Sequence, residues 1–287
     1  MGKGKKLIRL ILFMLSAVLF AYSAYKLIDY RIESRTSSNL NDQLIEQAVS
    51  TSSPKENLII ETEPVIVETE QIESTDESEQ ELPKQEVETA PISVDFDLLE
   101  NDDVVGWIYC EDTPINYPVL QSDDNNYYLR RLINGEWNIS GSIFMDYRNN
   151  LNNQDWNTII YGHNMKNDTM FGTLPSFRDQ AYYDEHPNMY FITPEKDYKI
   201  ELVAGFVTPS DSTLYDVYLS KKDRVSVVEG LMASSDFRSH IETIDEDVRL
   251  LTLSTCSYEY DTARYVVIGI MTPVEKKAQD VIEEYNN

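Results

Sequence analysis

The chain has 287 residues, with 50 acidic against 24 basic side chains and a formal net charge of −26. Such a balance opposes contact with a phosphate backbone, so no nucleic-acid partner is expected. Its two cysteines, Cys110 and Cys256, allow at most one disulfide, and no CxxC pair or Cys/His cluster points to structural zinc.

Residues 1–29 read as a cytoplasmic tip and a transmembrane anchor. Leu10 to Tyr25 is an almost unbroken apolar run, extended by Leu7, Ile8, Leu27 and Ile28. A helix needs about 20 residues to cross a bilayer, and 7–28 suffices. Lys3, Lys5, Lys6 and Arg9 precede its centre, which favours a cytoplasmic N-terminus and an exported C-terminal part. The expected location is thus the plasma membrane, single-pass, with the folded domain outside. A cleaved signal peptide competes with this reading, since Ala21-Tyr22-Ser23-Ala24 supplies small residues.

Residues 30–95 lack glycine and, after Tyr30, any aromatic residue; Glu56 to Glu88 holds twelve acidic residues and one basic one, Lys84. A segment this polar buries too little apolar surface to offset its ordering entropy, and its like charges extend it. It reads as a disordered acidic spacer holding the domain away from the membrane. Ile59-Ile60 and Val65-Ile66-Val67 are apolar patches suited to a transient strand, but a solvated spacer is the preferred reading.

Residues 96–287 are long enough for one well-buried core. Short runs rich in Ile, Val, Tyr, Phe and Thr predict eight strands, near 104–109, 115–120, 141–146, 156–162, 188–193, 198–207, 249–255 and 264–272. Helices are expected near 125–133, 169–185, 222–236 and 274–285. Many strands and few helices predict a mainly β domain, barrel or sandwich, with flanking helices.

The last two strands carry the chemistry. If Arg249–Thr255 and Arg264–Ile270 form a hairpin, Cys256 leaves the first where Arg264 enters the second. A thiol beside a fixed positive charge suits a nucleophile. Buried core thiol, or partner of Cys110 in a disulfide, are the structural readings of Cys256. Among the histidines, His163 ends an apolar strand behind Gly162 and opens a polar loop, a placement suited to a general acid or base. His186 and His240 read as turn and surface residues. Arg264 pairs with Glu259 or Asp261 in its structural reading. By strand alternation Ser254 shares a face with Cys256, Thr255 takes the opposite face, and Tyr161 shares the face of His163. Ser254, Thr255 and Tyr161 are therefore candidate substrate-binding residues, although a packed tyrosine fits position 161 equally well.

Thr252-Leu253-Ser254-Thr255-Cys256, followed by Arg264, resembles the active-site strand of sortases, cysteine transpeptidases of the Gram-positive cell surface. Ile159-Ile160-Tyr161-Gly162-His163-Asn164-Met165 resembles the family's catalytic-histidine segment. Gly141-Ser142-Ile143-Phe144-Met145-Asp146 and Tyr117-Pro118-Val119-Leu120-Gln121 also resemble sortases, most closely class B. The similarity covers roughly residues 96 to 273. It implies a closed eight-stranded β-barrel, with Cys256 as nucleophile, His163 as general acid and base, and Arg264 binding substrate and stabilising the oxyanion.

It further implies cleavage of an LPxTG-like or NPxTN-like sorting signal in exported proteins through a thioester. The acyl group then passes to an amine of the peptidoglycan cross-bridge or of a pilin lysine. This chemistry calls for no cofactor, and no calcium-loop signature is evident. The alternatives are a secreted cysteine hydrolase and a non-catalytic surface ectodomain. Chain order opposes a papain-like enzyme, because His163 precedes Cys256. An ectodomain leaves Cys256, His163 and Arg264 unexplained as a set.

Overall fold

The computed structural model describes residues 2–51, 88–150 and 155–276. Helix α1, Gly2–Ala48, contains no glycine or proline after Gly4, so nothing in its sequence interrupts the backbone ladder. It ends where the chain turns into strand β1, Val49–Thr51, which pairs antiparallel with β2, Ile92–Val94.

This corrects the expected start of the spacer. Residues 30–51 are regular structure packed on the domain: Ser34 and Ala48 are buried, and Leu44 and Ile45 pack beside Ala48, Ile92 and Trp107. Composition misleads here because the polar residues between Tyr30 and Ala48 share a helix with well-spaced Leu40, Leu44 and Ile45, which tertiary contact rewards. The acidic core of the expected spacer, with both of its apolar patches, lies outside the described residues.

The domain is a closed barrel of β3 (Val104–Tyr109), β4 (Asn116–Leu120), β5 (Ile143–Met145), β6 (Asn157–Tyr161), β7 (Asn188–Ile192), β8 (Asp197–Pro209), β9 (Leu250–Cys256) and β10 (Ala263–Val274). Around the barrel the order is β10-β8-β7-β3-β4-β5-β6-β9, closing back onto β10. The pairs β4/β5 and β6/β9 are parallel and the others antiparallel. All eight expected strands are present, and closure leaves no unpaired edge.

Alternation sorts the side chains. Ile108, Ile160, Leu251, Leu253, Tyr265 and Val267 fill the inside, whereas Ile159, Leu250, Val266 and Ile268 form an outer cluster. That cluster is covered by helix α3, Lys221–Ala233, through Val228, Leu231 and Met232.

The other expected helices are shorter than read. Residues 125–133 contain only the 3₁₀ turn Tyr128–Arg130, because the Asp124 carboxylate accepts from the amides of Asn126 and Tyr127 (2.7 and 2.8 Å) and fixes a turn instead. Residues 169–185 resolve into a 3₁₀ turn, Leu174–Arg178, and helix α2, Gln180–Glu185, capped by the Asp179 side chain. The helix expected at 274–285 meets strand β10 at Val274, and from residue 277 it lies outside the described residues.

Candidate active site

Three adjacent strands, β6, β9 and β10, bring the expected residues to one end of the barrel. Tyr161 lies opposite Ser254 in the parallel β6/β9 pair, and the Gly162 amide donates to the Ser254 carbonyl (3.1 Å). The pairing ends there, but Thr255 Oγ1 donates to the Gly162 carbonyl (2.8 Å) and Asn164 Nδ2 to the Cys256 carbonyl (2.9 Å), so the segment through His163 runs beside the cysteine end of β9. On the other side of β9, Arg264 lies directly opposite Cys256. Neighbouring strands are about 4.7–4.9 Å apart, so Cys256 and Arg264 are adjacent, and the segment that carries His163 reaches the same end of the barrel. Arg264 alternates with Val266, and Cys256 with Ser254, on the outer face, where the Tyr215 hydroxyl bonds to Ser254 Oγ (2.9 Å) and the rings of Tyr161 and Tyr215 stack at 6.2 Å.

Gly162 is a steric requirement. A Cβ there would fall 2.5 Å from Ile143 Cδ1 and 2.6 Å from Phe171 Cδ2. The loop beyond His163 is tied back by the Phe171 amide, which donates to the His163 carbonyl (3.0 Å), and by Asn164 Nδ2, which donates to the Cys256 carbonyl (2.9 Å). Asn164 thus joins the histidine segment to the cysteine strand.

The imidazole Nε2 of His163 is 2.8 Å from the Leu129 carbonyl. A carbonyl only accepts, so Nε2 carries the proton and Nδ1 is left to exchange one. Burial pushes the imidazole below its ordinary pKa; the Leu129 bond opposes this and the nearby Arg130 charge adds to it.

Both cysteines are free, which removes the disulfide reading of Cys256. Cys110 is buried, with its thiol 3.6 Å from the Asn188 carbonyl, and burial pushes its pKa up to about 12. It is an inert core thiol, whereas Cys256 is partly exposed. Arg264 is also partly exposed, and its Nη1 donates to the Ala263 carbonyl (3.0 Å). Glu259 is engaged by Arg178, whose guanidinium also lies 4.8 Å over the Tyr265 ring, so a residue after β5 and β6 braces the turn between Cys256 and Arg264.

The expected substrate-binding residues are engaged with the protein itself. Ser254 and Thr255 are each 2% exposed; Ser254 meets Tyr215, and Thr255 Oγ1 donates to the Gly162 carbonyl (2.8 Å). The Tyr161 hydroxyl donates to Asp146 Oδ2 (2.9 Å). Asp146 is fully buried and accepts two bonds from the Arg148 guanidinium at 2.8 Å. Burial alone would raise this carboxyl, but Arg148, Tyr161 and Asn125 outweigh it and hold it below the usual range. His186 ends α2 edge-on to Tyr182, and exposed His240 meets Asp184 at 3.1 Å.

Sequence reasoning missed the Leu129 carbonyl, Asn164, Tyr215, Asp146 and Arg178. Asn164 had a signal, since it sits in the recognised histidine segment; a backbone carbonyl 34 residues away from its histidine had none.

Comparison with known proteins agrees with the fold. A sortase domain profile matches residues 108–272. Sortase B of Listeria monocytogenes is 38% identical over 181 residues, covering 59% of this chain and 70% of that protein. Sortase B of Staphylococcus aureus is 35% identical over 179 residues, covering 61% and 73%. Among solved structures, a Staphylococcus aureus sortase B–substrate complex superposes with a TM-score of 0.59 at 33% identity, covering 63% of this chain and 85% of that one. A sortase B complexed with triglycine gives 0.57 at 32% identity, covering 61% and 83%. The chain belongs to the sortase family of cysteine transpeptidases, on its class B branch.

Proposed function

We propose that Cys256, His163 and Arg264 carry the transpeptidation, and that the substrate is a C-terminal sorting signal, LPxTG-like or NPxTN-like, of an exported protein. The observation that carries this reading is the register: Arg264 faces Cys256 across β9/β10, and His163 reaches the same end through β6/β9. The Cys256 sulfur attacks the threonine carbonyl of the signal, and the Arg264 guanidinium, a fixed planar donor, meets the charge that develops on oxygen. As the C–N bond breaks, His163 gives its proton to the departing amine and a thioester remains on Cys256. An acceptor amine then attacks the thioester, His163 takes the proton that the amine loses, and Cys256 leaves as the thiolate, which restores the starting pair. A glycine-type amine of the peptidoglycan cross-bridge is the favoured acceptor; the triglycine-bound relative supports it over a pilin lysine.

Ser254, Thr255 and Tyr161 serve this site by bracing it. Their hydrogen bonds to Tyr215, Gly162 and Asp146 fix the strand ends from which the reacting groups project. Residues 7–28 anchor the chain in the plasma membrane with the barrel outside, since α1 carries the one apolar span among the described residues.

The test is amide exchange by the full chain in detergent or nanodiscs, using a panel of sorting-signal peptides with triglycine and mass-spectrometric readout. We expect an exchanged product from the wild type and none from Cys256→Ala. Exchange that survives in Cys256→Ala would sink the assignment.

A further inference from the structure

Where α1 meets the barrel defines a second surface. From Lys5 to Ile28 the helix has almost no protein beside it; Leu19 is 58% and Phe20 77% exposed. Cover begins abruptly at Asp29 and Tyr30, and Ser34 is already buried. The Glu33 carbonyl accepts from Asn138 Nδ2 (2.9 Å), its carboxylate accepts from the Ile139 amide (3.3 Å), and Ser34 Oγ accepts from Asn167 Nδ2 (3.0 Å). Two segments therefore touch α1 at its lowest point: the strand-like stretch through Asn138, and the loop that follows His163.

A helix rises about 1.5 Å per residue, so Glu33 and Ser34 stand roughly 8–9 Å beyond Ile28. The headgroup region extends about 5–7 Å past the hydrocarbon on each side. This level lies just past the headgroup layer, so long exposed side chains here that lean towards the N-terminal end of α1 reach the headgroups. Trp137, next to Asn138 and bridged to Arg131, is 59% exposed, and Arg130 and Lys166 are exposed as well. Basic residues here, namely Arg31, Arg35, Arg130, Arg131 and Lys166, outnumber the acidic Asp29, Glu33, Glu136 and Asp168. This local excess stands out in a chain whose net charge is −26. An exposed tryptophan flanked by basic side chains, held beside a membrane span, has the chemistry of an interfacial anchor.

We propose that this edge of the barrel, centred on Trp137 with Arg130 and Lys166, is a second membrane contact that seats in the headgroup layer of an anionic bilayer. The proposal rests on α1 being a membrane span. It places His163, which opens the Asn167-bearing loop, one loop away from the lipid surface and fixes the catalytic end relative to the membrane.

The test uses the full chain in vesicles of phosphatidylcholine and phosphatidylglycerol whose acyl chains are brominated near the headgroup. Trp107 and Trp156 are 0% and 5% exposed, which leaves Trp137 as the tryptophan open to quenching. Brominated lipid is expected to quench wild-type emission and to leave Trp137→Phe emission unchanged. The quench should also weaken when phosphatidylglycerol is omitted; equal quenching without it overturns the anionic preference. A carbonate wash separates the two levels of the argument. A chain that resists the wash yet shows equal quenching in both proteins, or none, overturns the second contact alone. A chain that washes off overturns the span beneath it.

Discussion

The two ends of the β6/β9 pair have opposite characters. Towards the lower end Asn157 and, a little further up the ladder, Thr252 are fully buried, and their side-chain polar atoms all have partners. Asn157 Oδ1 accepts from Thr252 Oγ1 (2.8 Å), its Nδ2 donates to the Leu214 carbonyl (2.8 Å), and its own carbonyl accepts from Asn149 Nδ2 (2.7 Å). At the upper end Cys256, His163 and Arg264 are only partly covered, and what fixes them is the layer just beneath: Thr255 to Gly162, Ser254 to Tyr215, and Asn164 to the Cys256 carbonyl. Strands β6 and β9, with β10 beside them, thus carry a closed polar floor and an open rim that bears the proposed reactive groups. A saturated floor stabilises the strands, which leaves the rim free to expose groups that contribute chemistry rather than stability.

Substitutions at the two ends should therefore separate activity from stability. The largest effect is expected at the rim. Arg264→Lys keeps a charge but removes the planar donor fork, and kcat/KM for peptide exchange should fall about 10²–10³-fold, with Tm changed by no more than about 2 °C. A parallel collapse of Tm would show that rim and floor are one unit. At the floor, Thr252→Val removes the hydroxyl and leaves Asn157 Oδ1 buried without its donor. Such a loss costs about 1–3 kcal/mol, seen as a Tm lower by about 3–10 °C, while kcat/KM well below the midpoint stays near wild type. Calorimetry and exchange kinetics on the same preparations check both outcomes.

The rim was largely legible in the chain because local order encodes it. Thr252 to Cys256 is a β-branched, apolar strand, Arg264 follows one hairpin later, and Gly162 directly precedes His163 where the structure leaves no room for a Cβ. The strand set was legible for the same reason, since each strand is a short apolar run. Closure of the barrel was not, because alternation alone fits a sandwich as well; the family resemblance supplied it. The floor was hidden, since Asn149, Asn157 and Thr252 find one another only through the fold and read in isolation as loop and strand polars. The docked half of α1 was hidden too. Its polar composition resembles a spacer until Leu40, Leu44 and Ile45 meet the barrel.

The smallest expected effect sharpens the comparison most finely, because it moves the rim without touching the floor. Burial lowers the pKa of His163 from its ordinary 6.5, the Leu129 bond raises it, and the charge of Arg130 lowers it further. A folded-state pKa below the unfolded value gives a stability contribution that is present above about pH 6.5 and lost as pH falls through the folded value. Arg130→Gln removes one lowering cause, so the His163 pKa should rise, and only slightly because an exposed guanidinium is well screened. Two shifts follow with fixed signs. In its proposed role of general acid His163 must be protonated to release the leaving amine, so the limb of the pH–kcat/KM profile that reports it should move to higher pH. The loss of Tm between neutral and mildly acidic pH should shrink, since less is lost by protonating a histidine whose pKa is nearer its unfolded value. Detergent-solubilised full chain serves for both measurements, which keeps lipid contact out of the comparison. A limb that moves to lower pH, or stays in place, would mean that Arg130 does not act on His163 through charge.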